Sequence, residues 1–108
     1  MGDRIGHAEL KIGKSVVMMA DEHPDMGYRG PKSYGGTPVS LLFYVEDVDS
    51  AFNRAIAAGA KSMKAVADQF YGDRSGTLTD PYGHVWTIAT HKEDVAPEEM
   101  NRRMAAMK

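Results

Sequence analysis

The chain has 108 residues, enough for one compact domain with its own core but near the size at which an interface between chains adds useful stability. Its 13 Lys and Arg against 15 Asp and Glu give a formal charge of -2 with no long run of one sign, which disfavours nucleic acid or an anionic membrane as partner. Cysteine is absent, so disulfides, thiolate metal sites and cysteine nucleophiles are excluded. The opening residues include Asp3, Arg4, Glu9 and Lys11, which form no secretory apolar segment, and no apolar run approaches the ~20 residues of a membrane span. A cytoplasmic protein is the expectation.

Residues 5–12, "IGHAELKI", place Ala8, Leu10 and Ile12 on one face and His7, Glu9 and Lys11 on the other, the period of a half-buried strand. "SVVMMA" follows after Gly13 and Lys14, so the two segments read as a tight hairpin. Residues 21–38 carry three Pro and four Gly among polar residues and read as a long loop. "VSLLFYV" at 39–45 reads as a buried strand. The period then changes: Val48, Ala51, Phe52, Ala55 and Ile56 form one stripe of a helix, with Asp47 or Asp49 as cap and Gly59 past its end. "KSMKAVADQ", "YGDRSGTLTD" and "HVWTIAT" read as three further strands, so residues 39–90 form a β-α-β-β-β unit. The tail, with Pro97, Glu98 and Glu99 at its start and Met100, Met104 and Met107 on one face, reads as a short amphipathic helix that needs a surface to dock on.

Within "GTLTDPYGHVW", Asp80, Pro81, Tyr82 and Gly83 are four turn residues in a row, and His84 stands at the mouth of the last strand. His7 and Glu9, two apart on one strand face, are candidate metal ligands that lack a third partner; Glu22 and His23 form a similar weak pair, and each pair has a solvated polar face as its plain alternative. Arg74 can clamp an anionic ligand group or pair with Asp73, Asp68 or another carboxylate. No GxGxxG, Walker loop, GxSxG or HExxH occurs, which removes the common nucleotide, hydrolase and zinc-protease readings.

The strand and helix order, the segment "VEDVDSAFNRAIAAGA" and the ending "FYGDRSGTLTDPYGHVWTIATHKEDV" together resemble a PhnB-like member of the glyoxalase / bleomycin resistance / extradiol dioxygenase group, the vicinal oxygen chelate superfamily. "HAELKIGKSVVMMADE" resembles the end of that family's first module. The resemblance implies an α+β fold of paired βαβββ modules curled into a cupped mixed sheet, with ligand in the concavity and, in the enzymes, a divalent metal. By register the metal positions of the second module fall on Ser40 and Thr87, whose neutral hydroxyls are poor ligands. Residues 5–20 correspond to the remnant of a first module and residues 39–90 to a complete second one, so residues 1–95 form a single domain followed by a helix at 96–108. Roughly thirty residues, the size of a βα unit plus a strand, would precede "HAEL" in the full pattern, so the first module is expected to be N-terminally shortened. The open sheet edge and apolar face this leaves suggest a homodimer, with exchanged elements as one form of it.

The resemblance therefore implies a small-molecule binding protein without the usual metal site. Ser40, Leu42, Tyr44, Val85, Thr87 and Ala89 would face the cup, Arg74 would contact an anion, and Trp86 and Ile88 would pack against the helix with Leu41 and Phe43. The alternative is a metal-dependent lyase, isomerase or dioxygenase using Zn, Ni, Mn or Fe, with His7, Glu9 or Glu22 brought together across a dimer.

Overall fold

A computed structural model describes residues 4–107; Met1 to Asp3 of the expected lead-in, and Lys108 at the end of the tail, lie outside the described residues. Strands β1 (Ala8–Ile12) and β2 (Ser15–Met19) form an antiparallel two-stranded sheet. Gly13, at φ 60°, takes the first position of the tight turn between them, where a side chain would be strained. Ala8 pairs with Met19 and Leu10 with Val17, so these four share one face. The long connection that follows is not featureless. It holds two 3-10 turns, Pro24–Met26 and Pro31–Tyr34, each begun by a proline and ended by a left-handed glycine.

The second sheet contains β3 (Ser40–Tyr44), β4 (Lys61–Asp68), β5 (Asp73–Thr79) and β6 (Val85–His91) in the order β3-β6-β5-β4. β3 runs parallel to β6, and the other pairs are antiparallel. Two register shifts interrupt β4 against β5, and such bulges bend a strand.

Helix α1 (Val48–Ala57) covers one face of this sheet. Asp47, not Asp49, is its cap: the Asp47 side chain accepts from the Ser50 backbone N–H at 3.2 Å. Val48 and Phe52 meet Leu78 and Ile88 in the core, with Phe43, Val66 and Trp86 packed around them. Trp86 meets Phe43 edge to face at 5.9 Å. Leu41 departs from the expected core and stays 41% exposed. Gly76 is what lets Phe52 and Val66 approach β5, since a Cβ there would stand 2.8 Å from each. Burying a side chain the size of Phe52 contributes about 1.5–3 kcal/mol.

Helix α2 (Pro97–Ala106) is held by an arginine rather than by its methionine stripe. Arg103 donates to the Phe70 carbonyl at 3.0 Å and to Glu93 at 2.7 Å, while Met104 and Met107 remain exposed. Among the described residues no helix is long and apolar enough to cross a membrane.

Candidate functional site

The face of the four-stranded sheet opposite α1 carries the alternate residues of each strand. On β3 these are Ser40, Leu42 and Tyr44, all exposed. On β6 they are Val85, Thr87 and Ala89, which sit beside them in register. Ala89 is fully buried, so it serves as floor and offers a ligand little surface. β5 adds Ser75, opposite Ala89, and Thr77, opposite Thr87. The Thr77 and Thr87 hydroxyls share a hydrogen bond of 2.9 Å. Leu42 is 53% and Tyr44 58% exposed, which gives this sheet face a large apolar area.

One end of this face is a chain of hydrogen bonds built on a buried carboxylate. Asp73 Oδ2 accepts from the Tyr44 hydroxyl at 2.8 Å, and Asp73 Oδ1 meets His91 Nδ1 at 2.8 Å. The other ring nitrogen of His91 meets Asp94 at 2.7 Å. The carboxylate partners, Asp73 foremost, favour the imidazolium and raise the pKa of His91. The Asp73 carboxylate likewise accepts a hydrogen bond from the Tyr44 hydroxyl, which holds the proton on the phenol and raises that group above the usual tyrosine range.

Arg74 stands between Asp73 and Ser75 and so lies on the other face. Its Nε and Nη2 form a fork onto Asp49 of α1 at 2.9 and 3.0 Å, and Nη1 reaches Asp68 at 3.2 Å. The guanidinium beside Asp49 holds that carboxyl below its ordinary value. Of the two readings open for Arg74, the carboxylate pairing is the one formed in the structure, where these bonds tie the helix to the sheet.

The weak metal candidates are not assembled within the chain. His7 and Glu9 pair with each other at 2.8 Å, both more than half exposed. Glu22 is committed elsewhere, its Oε2 accepting from the Ser33 hydroxyl at 2.6 Å and the Gly30 N–H at 2.8 Å, which keep its pKa low. Among the described residues no three His, Asp or Glu side chains lie together as a metal would require. With hydroxyls at Ser40 and Thr87, this donor set does not fit a divalent ion.

Away from the open face, two adjoining cavities of about 740 and 480 Å³ lie between the β1/β2 hairpin, the long connection and the β5–β6 turn. Leu41 and Trp86 line the larger, His23 and Arg29 the smaller, and Glu22 and His84 both. His84 is exposed, and Asp80 makes the turn beside it, accepting from the Tyr82 and His84 N–H groups and from Trp86 Nε1 at 2.8 Å.

Sequence reasoning missed Asp73, Ser75, Thr77 and His91 on the open face. The signal was present: the polar residues 73, 75 and 77 alternate in β5, and 91 continues the series 85, 87 and 89.

The sequence model of the family described as "Glyoxalase/Bleomycin resistance protein/Dioxygenase superfamily" matches residues 1–88. The uncharacterized protein Rv0887c of Mycobacterium tuberculosis is 41% identical over 103 residues, covering 93% of this chain and 61% of its own length. Protein YjdN of Escherichia coli is 29% identical over 89 residues, 82% of this chain and 58% of that protein. The chain thus spans about three-fifths of these two relatives. Among solved structures, protein PA1353 from Pseudomonas aeruginosa superposes with a TM-score of 0.66 at 26% identity, over 84% of this chain and 66% of that one. TioX from Micromonospora sp. ML1 does so at 0.57 and 30% identity, over 83% of this chain and 70% of its own.

Proposed function

Because the chain belongs to the glyoxalase / bleomycin resistance protein / dioxygenase superfamily, we propose that it is a PhnB-like member that binds a small molecule on the open sheet face and carries no metal of its own. The observation that carries this reading is the makeup of that face. Exposed Leu42 and Tyr44 offer apolar and aromatic contact, while the paired Thr77 and Thr87 hydroxyls occupy ground where imidazole or carboxylate would be needed to hold an ion. Tyr44 donates to Asp73, so its phenol oxygen is oriented to accept from a ligand. The reading includes a homodimer in which a second copy walls the cup, supported by the free edges of β3 and β4 and by the exposed apolar residues Val16, Met18 and Val39.

An amide chemical-shift titration against a panel of small aromatic and heterocyclic compounds tests the site. Shifts clustered at Leu42, Tyr44, Thr77 and Thr87 are expected; binders that shift only residues elsewhere overturn the assignment. Elemental analysis of protein purified without chelators tests the second part. One equivalent of Zn, Ni, Mn or Fe per chain would overturn the metal-free reading in favour of ligands shared between two chains.

A further inference from the structure

We propose that the groove between the β1/β2 hairpin and the Asp80–His84 turn is a second binding site, which takes a small amphipathic carboxylate. Its anionic head would lie at His23, Arg29 and His84, and its apolar body against Leu10, Met19 and Trp86. The groove is distinct from the open face, because Leu41 and Trp86 alternate with Leu42 and Thr87 along their strands. The inference therefore stands apart from the reading above.

Four observations support it. The two adjoining cavities, of about 740 and 480 Å³, are of the size that encloses small organic ligands. Their larger part has an apolar wall, the hairpin face of Ala8, Leu10, Val17 and Met19.

The polar lining is asymmetric in its spare hydrogen-bonding capacity. Its three carboxylates are turned toward the protein's own donors: Asp21 accepts from the Ile5 N–H, Glu22 from Gly30 and Ser33, and Asp80 from Tyr82, His84 and Trp86. The donor side chains of Arg29, Lys32 and His84 line the same space and make no side-chain hydrogen bond or ion pair among the described residues. Three donor side chains without partners, beside carboxylates that each already hold one or more of the protein's own donors, favour an anion.

The fourth observation is His23. The residue lines the smaller cavity at 9% exposure, and its Nε2 is shut off from the surface with no hydrogen-bond partner among the described residues. A buried polar atom left unpaired is costly, and an acceptor bound in the cavity would relieve that cost once the ring turns its Nε2 toward it. A carboxylate is the simplest head that takes hydrogen bonds from an imidazole and a guanidinium together, and the apolar wall selects a head with a hydrocarbon body.

Trp86 is the only tryptophan in the chain and lines the groove, so its emission reports occupancy directly. The probe is decanoate, compared with decan-1-ol, which has the same body without the charge. A saturable change in Trp86 emission with decanoate is expected, weakened about tenfold for the alcohol and about tenfold by Arg29→Gln, each losing a charge-assisted hydrogen bond. Arg29 is exposed, so this variant should fold; circular dichroism checks it, and His23→Gln provides a second, independent weakening. Equal affinity for acid and alcohol, or indifference to both variants, overturns the proposal. So does weakening by Leu42→Ser in their place, which would move the ligand to the open face. A Trp86 signal that tracks protein concentration without decanoate, with a doubled mass in sedimentation, assigns the groove to a second copy and likewise overturns it.

Discussion

A single carboxylate organises the β5–β6 turn, because Asp80 accepts the Tyr82 and His84 N–H groups on one oxygen and the Trp86 indole N–H on the other. Asp80→Asn would turn an amide donor toward one of these donors. The half-buried indole would then lose its partner, and a loss of about 1–3 kcal/mol is expected in urea denaturation; unchanged stability would contradict the role. Gly76 sets a steric limit of the same local kind. A methyl group there meets Phe52 and Val66 at 2.8 Å, so Gly76→Ala should destabilise by about 1–3 kcal/mol despite its small size. His91 carries the pH dependence. Its folded pKa lies above the ordinary 6.5 because Asp73 and Asp94 favour the charged ring. Its stabilising contribution is therefore complete below about pH 6.5 and fades as pH rises through the higher folded value. Thermal melts across pH 5.5 to 8.5 should show this decline, and His91→Asn should flatten it.

At the scale of elements, α1 is the piece on which the sheet depends. Phe52→Ala empties the centre of its contact with β5 and β6 and should cost about 3–5 kcal/mol, measurable by urea denaturation. A loss under ~1 kcal/mol would mean that the helix is held by other contacts. This helix was legible in the sequence because Val48, Ala51, Phe52 and Ala55 follow its own period, while β1 was legible by alternation and β3 by its run of apolar β-forming residues. Half of the candidate site was not. Alternation says which residues share a face but not which face the helix covers, so Arg74 read equally well as a ligand clamp until α1 brought Asp49 to it. The anchoring of α2 was hidden for a related reason. Its methionine stripe is the visible pattern, yet Arg103 finds Phe70 and Glu93, a contact between segments that no local period encodes.

The whole molecule is extended for its length. Its Cα radius of gyration is 17.0 Å, with extents of 55 × 26 × 23 Å, where a compact domain of about 100 residues would give ~13 Å. β1 and β2 form a sheet of their own, apart from the four-stranded one, and expose residues on both faces. Under the proposed homodimer, sedimentation at micromolar concentration should give twice the chain mass, and Val16→Glu with Met18→Lys should shift it toward monomer. A stable wild-type monomer at that concentration would sink the dimer.

The parallel pairing of β3 with β6 joins residue 40 to residue 85 and, among the described residues, leaves β3 with no other strand neighbour. During synthesis, β3, α1, β4 and β5 all leave the ribosome before the strand that unites them. Until residues 85–91 emerge, the β4–β5 hairpin can form while β3 has no strand to pair with and Phe52 lacks Ile88. A ribosome stalled just short of β6 would therefore hold a nascent chain with open strand edges, the kind of intermediate that chaperones engage.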